Sequence, residues 1–200
     1  MKRISVIMPT ITGREESRER MAQAYRDRSD GYLIEVISPK DYPNWPASCN
    51  VGQKRAHGSI FAFGSDDLEP LAGWADAMVE CLERGELPAP QVWNWHLKGL
   101  PADLAVDGPP GSIPAFTRVV ALTRDMAKAI GPWPEIDYYA DNWVSDKART
   151  LGWETRVTAG YNFIHHWHQH GRLDAGNWKS RSLPRYNAER VKLGLPPVNG

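Results

Sequence analysis

The chain has 200 residues, with 24 Lys and Arg against 24 Asp and Glu, so its formal net charge is zero and nothing electrostatic favours nucleic acid or an anionic membrane as a partner. Two hundred residues fit one domain, or one domain with an extension, and can bury a full core. No stretch reaches the roughly 18–20 apolar residues of a membrane helix, and the opening "MKRISVIMPT" lacks a signal-peptide core. Cys49 and Cys81 form neither a metal knuckle nor a disulfide framework, so the expectation is a soluble cytoplasmic protein with no membrane span.

In chain order, "RISVIM" (3–8) reads as a buried strand stopped by Pro9. Residues 13–28 are charged and helical, with Met21, Ala24 and Tyr25 as an apolar stripe. "YLIEVIS" (32–38) is a second strand, 39–46 a Pro-rich loop, 47–57 a short helix and "SIFAFG" (59–64) a third strand. Residues 71–85 are an amphipathic helix on Trp74, Met78 and Leu82, closed by Gly85. This strand–helix alternation predicts a parallel sheet with crossover helices, whose ligands bind beyond the carboxyl ends of the strands.

The second half is less regular. Residues 91–97 read as a strand, 98–114 as a long Gly/Pro-rich loop of the kind that frames binding sites, 115–123 as a strand and 124–131 as a short helix. A turn leads into a helix over 140–152, then one or two strands end in "HHWHQH". From 171 the chain is rich in Arg, Pro and Gly.

Four constellations carry candidate chemistry. Asp66 and Asp67 follow the third strand directly, and adjacent carboxylates repel unless a cation lies between them. They are either a solvated turn or ligands of Mg²⁺ or Mn²⁺, which take few carboxylates and leave places for phosphate oxygens. His165, His166, His168 and His170 are either a metal or phosphate contact or a surface cluster. On an extended chain His166, His168 and His170 share one side, and His165 and Trp167 the other. Asp137 and Asp141 are either acids of a helix's first turn or a general base at a pocket rim. "PTITGR" (9–14) offers Thr and Arg to a phosphate or base edge, or Thr12 or Gly13 as a helix cap. Nine Trp serve the core or stack on sugar rings.

In order, these pieces resemble the family 2-type, GT-A fold glycosyltransferases. "ISVIMPTITGRE" is similar to that family's opening strand and polar turn. "SCNVGQKRAHGSIFAFGSDDLEPLAGW" resembles its Asn-x-Gly, apolar strand, acidic DxD motif and Gly-Trp. "AIGPWPEIDYYADNWVSDKARTLGW" resembles its segment carrying an "ED" pair before Gly-Trp. The resemblance runs over about residues 3–168. It implies an α/β fold: a single GT-A, Rossmann-like domain with a mostly parallel central sheet flanked by helices and a small C-terminal extension. Residues 1–170 would be the catalytic domain, with 1–85 the nucleotide-binding half and 86–170 the acceptor and metal half; 171–200 would be a basic tail.

It further implies a hexosyltransferase-type enzyme that moves a sugar from a nucleotide-diphosphate sugar to an acceptor hydroxyl, with inversion. Asp67 falls on the metal-holding acid of the DxD motif, with His166 or His168 completing a Mn²⁺ or Mg²⁺ site. Asp141 falls on the general base. Pro9, Thr10, Arg14, Asn50 and Asp66 fall where the nucleotide sugar is approached, and Arg172 is a candidate phosphate cover. Ser65 and Ala140 replace two of the family's acids, and Asp41 is displaced from the base-reading acid that normally ends the second strand. Three other readings compete: a nucleotidyltransferase of similar architecture, a non-catalytic nucleotide- or carbohydrate-binding module, and a His-cluster metal protein.

Overall fold

The computed structural model describes residues 1–94, 101–102, 120–136, 138–166 and 175–199. Trp95, Asp137, Trp167, His168, His170, Arg172 and most of the 98–114 loop lie outside the described residues.

The first sheet has strand order β2-β1-β3-β7. β1 (Lys2–Ile7) lies parallel to both β2 (Tyr32–Ile37) and β3 (Ile60–Phe63). β7 (Val120–Thr123) runs antiparallel beside β3. The connections are α1 (Glu15–Asp27) and α2 (Trp45–Arg55), as the alternation requires. α1 buries Met21, Ala22 and Tyr25 on its inner face. α2 begins at Asn44, whose side chain accepts a 2.8 Å bond from the Ala47 amide.

β1 and β3 are the heart of the core. Ile4, Val6 and Ile7 are completely buried, as is Phe63; each such side chain contributes about 1.5–3 kcal/mol on leaving water. α2 presses directly on this sheet. A Cβ built on Gly52 would lie 2.4 Å from Cγ2 of Ile7, so only glycine permits the approach.

A second sheet has order β4-β8-β5-β6, with α3 (Trp74–Glu83) packed on it. β4 (Leu68–Pro70) pairs antiparallel with β8 (Glu154–His165), and β8 lies parallel to β5 (Glu86–Asn94). β6 (Pro101–Ala102) adds a short edge. β5 begins five residues earlier than the expected strand, because "ELPAP" pairs with β8 despite its two prolines. The register shifts between Ala89 and Gln91, around Pro90, which has no amide to give the ladder.

α4 (Arg124–Ile130) and α5 (Ala140–Thr150) follow β7. α6 (Ala175–Lys192) forms a helix where the sequence suggested only a basic tail, and it contains Pro184. It is held on α5. Asp146, 2% exposed, accepts a 2.6 Å bond from the Tyr186 hydroxyl and a charge-assisted bond from Arg190. Tyr186 also stacks on Tyr139 at 4.9 Å. No helix among the described residues is long and apolar enough to cross a membrane.

Candidate active site

The site is assembled where β1, β2 and β3 end together. The register pairs Ile7 with Phe63, and the Gly64 amide donates to the Ile7 carbonyl at 3.0 Å. The residues after β1 and those after β3 therefore meet at one edge. Thr10 is 6% exposed and Asp66 3%, and the Thr10 hydroxyl donates to Asp66 Oδ2 at 2.8 Å. Arg14 Nη2 stands 3.0 Å from Asp66 Oδ1, and the Ser17 hydroxyl donates to the Asp66 carbonyl at 2.6 Å. Asp66 thus faces inward, joining the turn after β1 to the turn after β3, with a cation beside it.

β2 delivers Asp41 to the same edge. Thr10 bridges Lys40, and the Asp41 amide donates to the Thr10 carbonyl at 3.2 Å. Asp41 then accepts from the Thr12 amide at 2.8 Å and the Thr12 hydroxyl at 2.7 Å, and these two bonds hold its carboxyl below the usual range. Asp41 has φ +58°, a left-handed conformation uncommon outside glycine. Thr12 is consequently spent on Asp41 and does not cap α1. The cap position is Arg14, which makes no side-chain cap bond, and the Gly13 amide is taken by the Glu15 carboxylate at 2.9 Å.

Asp67 points the other way, toward β8. Leu68 pairs with His165, which sets His165 beside the strand-end turn. Asp67 Oδ2 lies 3.3 Å from His165 Nε2, while Ser65 donates its hydroxyl to the second oxygen, Oδ1. Burial pushes the Asp67 carboxyl up, but the bonds from His165 and Ser65 and the charges of His165 and Arg14 outweigh it and leave the carboxyl below its ordinary value. Asp67 is therefore an anion at neutral pH.

The two neighbouring histidines do different work, as strand alternation requires. His165 is 7% exposed and faces Asp67. His166 faces Glu69, with Nε2 2.6 Å from Oε2, and its amide donates to the Asp67 carbonyl at 2.8 Å. Glu69 is also paired with Arg28. Burial raises its carboxyl, but the His166 and Arg28 bonds bring it below its ordinary value. The sequence identified two faces of the His run; only the β4–β8 register reveals that the inward one belongs to His165.

Asp67 and His165 suit a hard divalent ion. Two donors on adjacent corners of an octahedral ion, each about 2.1 Å from it, stand about 3.0 Å apart, close to the 3.3 Å between Oδ2 and Nε2. Such ions take few protein ligands and leave corners for phosphate oxygens. No group of three His, Cys, Asp or Glu side chains disposed to hold a metal occurs among the described residues.

Asn50 is placed differently from Thr10, Arg14 and Asp66. Its Oδ1 accepts from the Trp133 amide at 2.8 Å and its Nδ2 donates to the Trp133 carbonyl at 2.9 Å. Trp133, 2% exposed, lays its ring 4.7 Å from Phe63 and 5.0 Å from Trp45, and Trp45 Nε1 reaches the Gly64 carbonyl at 3.4 Å. Trp74, Trp133 and Trp143 are all core residues. Asp141 lies in the first turn of α5, where its Oδ1 accepts the Asn142 amide at 2.9 Å.

No protein-family model matches the chain, and no curated protein matches it. Solved structures do. The chain superposes on S. aureus TarS 1–349 in complex with UDP-GlcNAc with a TM-score of 0.67 at 12% identity, over 96% of this chain and 67% of that one. It covers 40% of the longer S. aureus TarS structure. The mannosyltransferase PcManGT from Pyrobaculum calidifontis, in complex with GDP-Man and Mn²⁺, matches with a TM-score of 0.65 at 11% identity, over 96% of this chain and 64% of that one. Glucosyl-3-phosphoglycerate synthase from Mycobacterium tuberculosis matches with a TM-score of 0.64 at 15% identity, over 98% and 81%. The fold is the GT-A glycosyltransferase fold, in a chain that spans less than half of the longer TarS structure.

Proposed function

We propose that this chain is a metal-dependent glycosyltransferase that takes a sugar from a nucleotide-diphosphate sugar and passes it to an acceptor hydroxyl. The observation that carries the reading is the Asp67–His165 pair, 3.3 Å apart at the carboxyl edge of a GT-A sheet, beside the turn that holds Thr10 and Arg14. An ionised carboxylate and an imidazole converging there fit Mn²⁺ or Mg²⁺, which when bound supplies positive charge to the leaving diphosphate. His165 takes the part that the sequence resemblance gave to His166 or His168. PcManGT, of the same fold, is a complex with GDP-Man and Mn²⁺.

The chain's own residues have separable tasks in this reading. Pro9 and Thr10 shape the turn on which the nucleotide lies, and Asp66 fixes that turn through the Thr10 hydroxyl. Arg14, held by Asp66, presents positive charge to the diphosphate. Asp67 is kept ionised and oriented by Ser65. Asp141 accepts the proton of the acceptor hydroxyl as the new bond to the anomeric carbon forms; the bond from that carbon to the phosphate oxygen breaks, and the nucleotide diphosphate leaves with its electron pair. One base and one displacement invert the anomeric centre.

The test is a thermal-shift panel of UDP, GDP, CMP, ADP and dTDP, with and without Mn²⁺. A ligand at about 100 times its dissociation constant adds about 2.7 kcal/mol, which raises the Tm of a domain this size by about 5–10 °C. One nucleotide diphosphate that shifts the midpoint only with Mn²⁺, and not in Asp67→Ala, supports the reading. No Mn²⁺-dependent shift with any nucleotide contradicts it.

A further inference from the structure

We propose that Asn50 is a positioning residue for the helix that carries Asp141, acting through the Trp133 peptide rather than on the nucleotide. This rests on the transferase reading above and adds to it a link between the two halves of the site.

Asn50 sits in the middle of α2, a helix packed closely on the first sheet: two residues on, a Cβ built on Gly52 would lie 2.4 Å from Cγ2 of Ile7 in β1. From that fixed base its amide meets the Trp133 backbone with one donor and one acceptor, at 2.9 and 2.8 Å. A primary amide used this way copies a peptide in a strand ladder: two antiparallel bonds fix both distance and tilt, which one bond cannot do. The indole on the same residue is wedged against Phe63, the last residue of β3, and against Trp45 of α2. Trp133 is therefore tied by its backbone to α2 and by its ring to α2 and to Phe63, which ends β3 three residues before Asp66.

Eight residues later comes Asp141. The intervening chain is pinned at Ile136 and Tyr139, each 1% exposed, and α5 starts at Ala140. Between the clamp at Trp133 and the first turn of α5, Ile136 and Tyr139 are thus both seated in the core. One N–H and one lone pair of the Asn50 amide are used by the clamp, so the plane of the amide is set by the Trp133 peptide. The prediction separates binding from turnover, because a base displaced by about 1 Å costs on the order of 10²-fold in rate while leaving the donor pocket intact.

The experiment compares wild type, Asn50→Ala and Asn50→Asp. The aspartate keeps the acceptor for the Trp133 amide and loses the donor to its carbonyl. Hydrogen exchange on the free protein reads the clamp directly. In Asn50→Ala the Trp133 amide and the segment 131–143 should exchange at least about tenfold faster, with 60–66 unchanged and Asn50→Asp between. Release of nucleotide diphosphate from the donor sugar nucleotide, with water as acceptor, reads turnover: kcat should fall about 10–100-fold, while KM for the donor and Kd for the nucleotide diphosphate with Mn²⁺ stay within about twofold. Nucleotide affinity falling in step with kcat makes Asn50 a ligand contact and overturns the proposal, as does unchanged exchange across 131–143. If Asn50→Ala does not fold, the same two comparisons are made on Asn50→Asp. A wild type that binds no nucleotide sugar defeats the transferase reading, and the exchange arm still decides whether Asn50 holds the segment.

Discussion

The turn that carries Asp66 and Asp67 begins at Gly64, and its neighbour is a buried tyrosine. A Cβ on Gly64 would lie 2.8 Å from the Tyr25 hydroxyl oxygen and 3.8 Å from the ring carbon that bears it. Tyr25 cannot swing aside: it is fully buried, edge-on to Trp74 at 5.1 Å and against Phe163 at 6.3 Å. Trp74 is itself held by a 2.8 Å bond from its indole to the Ser29 hydroxyl. Gly64→Ala is therefore an overpacking substitution and should cost about 1–3 kcal/mol. The Tyr25 hydroxyl has no hydrogen-bond partner among the described residues, and burial, with the Asp67 charge adding, pushes its pKa up. Removing an unpaired buried hydroxyl is close to neutral or stabilising, so Tyr25→Phe should change stability by less than about 1 kcal/mol. With the oxygen gone, the alanine methyl meets only ordinary contacts. The double variant should then lie within about 0.5 kcal/mol of Tyr25→Phe, a coupling of about 1–3 kcal/mol. Urea unfolding followed by tryptophan fluorescence measures all four corners. Equal costs of Gly64→Ala in the two backgrounds would refute the geometry of this strand end.

Other consequences follow from the same packing. Asp146→Ala strands the buried Arg190 and removes the Tyr186 bond; the loss should be about 3–5 kcal/mol, seen as a lower urea midpoint, and a loss below about 1 kcal/mol would mean that α6 is not anchored through this pair. Glu35 of β2 ties β1 and the loop after α2, accepting from the Ser5 hydroxyl at 2.6 Å and the His57 amide at 2.9 Å, with His57 Nδ1 2.7 Å away. Burial raises its carboxyl, but the Ser5 and His57 bonds prevail and bring it down to about 2. Because the folded value is depressed, the carboxylate's contribution is fully present above the unfolded pKa of about 4.3 and is lost as pH falls through about 2. Discounted for partial exposure, it is about 1–2 kcal/mol, so the stability gap between wild type and Glu35→Gln should close between pH ~4.5 and ~2; a gap unchanged across that window contradicts it. His166→Ala should release Glu69 and cost about 1 kcal/mol while sparing metal affinity, since His166 faces Glu69.

Much of the first eighty-five residues was legible because one signal, apolar runs punctuated by Gly, Pro and charged helices, carries both the elements and their order. The strand-end position of Asp66 and Asp67 followed from it. Their division of labour did not, because which acid turns inward depends on the pairing of Thr10 and Arg14 with Asp66. His165 was overlooked as the partner of Asp67 for a related reason: alternation separates His165 from His166 but does not say which face looks in, and β4, three residues long, is too short to read in the sequence. Asn50 was noticed through its resemblance to a motif, but its use as a peptide clamp spans 83 positions in the chain and leaves no local trace. α6 escaped because Pro, Gly and Arg disguise a helix whose stability comes from Tyr186 and Arg190 closing on Asp146. The spacing of Tyr186 and Arg190, one helical turn apart, is the local signal that this segment carries.

The most direct test of the account is Mn²⁺ binding by electron paramagnetic resonance, with the nucleotide diphosphate that the thermal panel selects, on wild type, Asp67→Ala, His165→Ala and His166→Ala. The account predicts a bound ion in wild type and His166→Ala, and at least about tenfold weaker binding in both Asp67→Ala and His165→Ala. Mn²⁺ affinity unchanged in His165→Ala, or lost in His166→Ala instead, would contradict it.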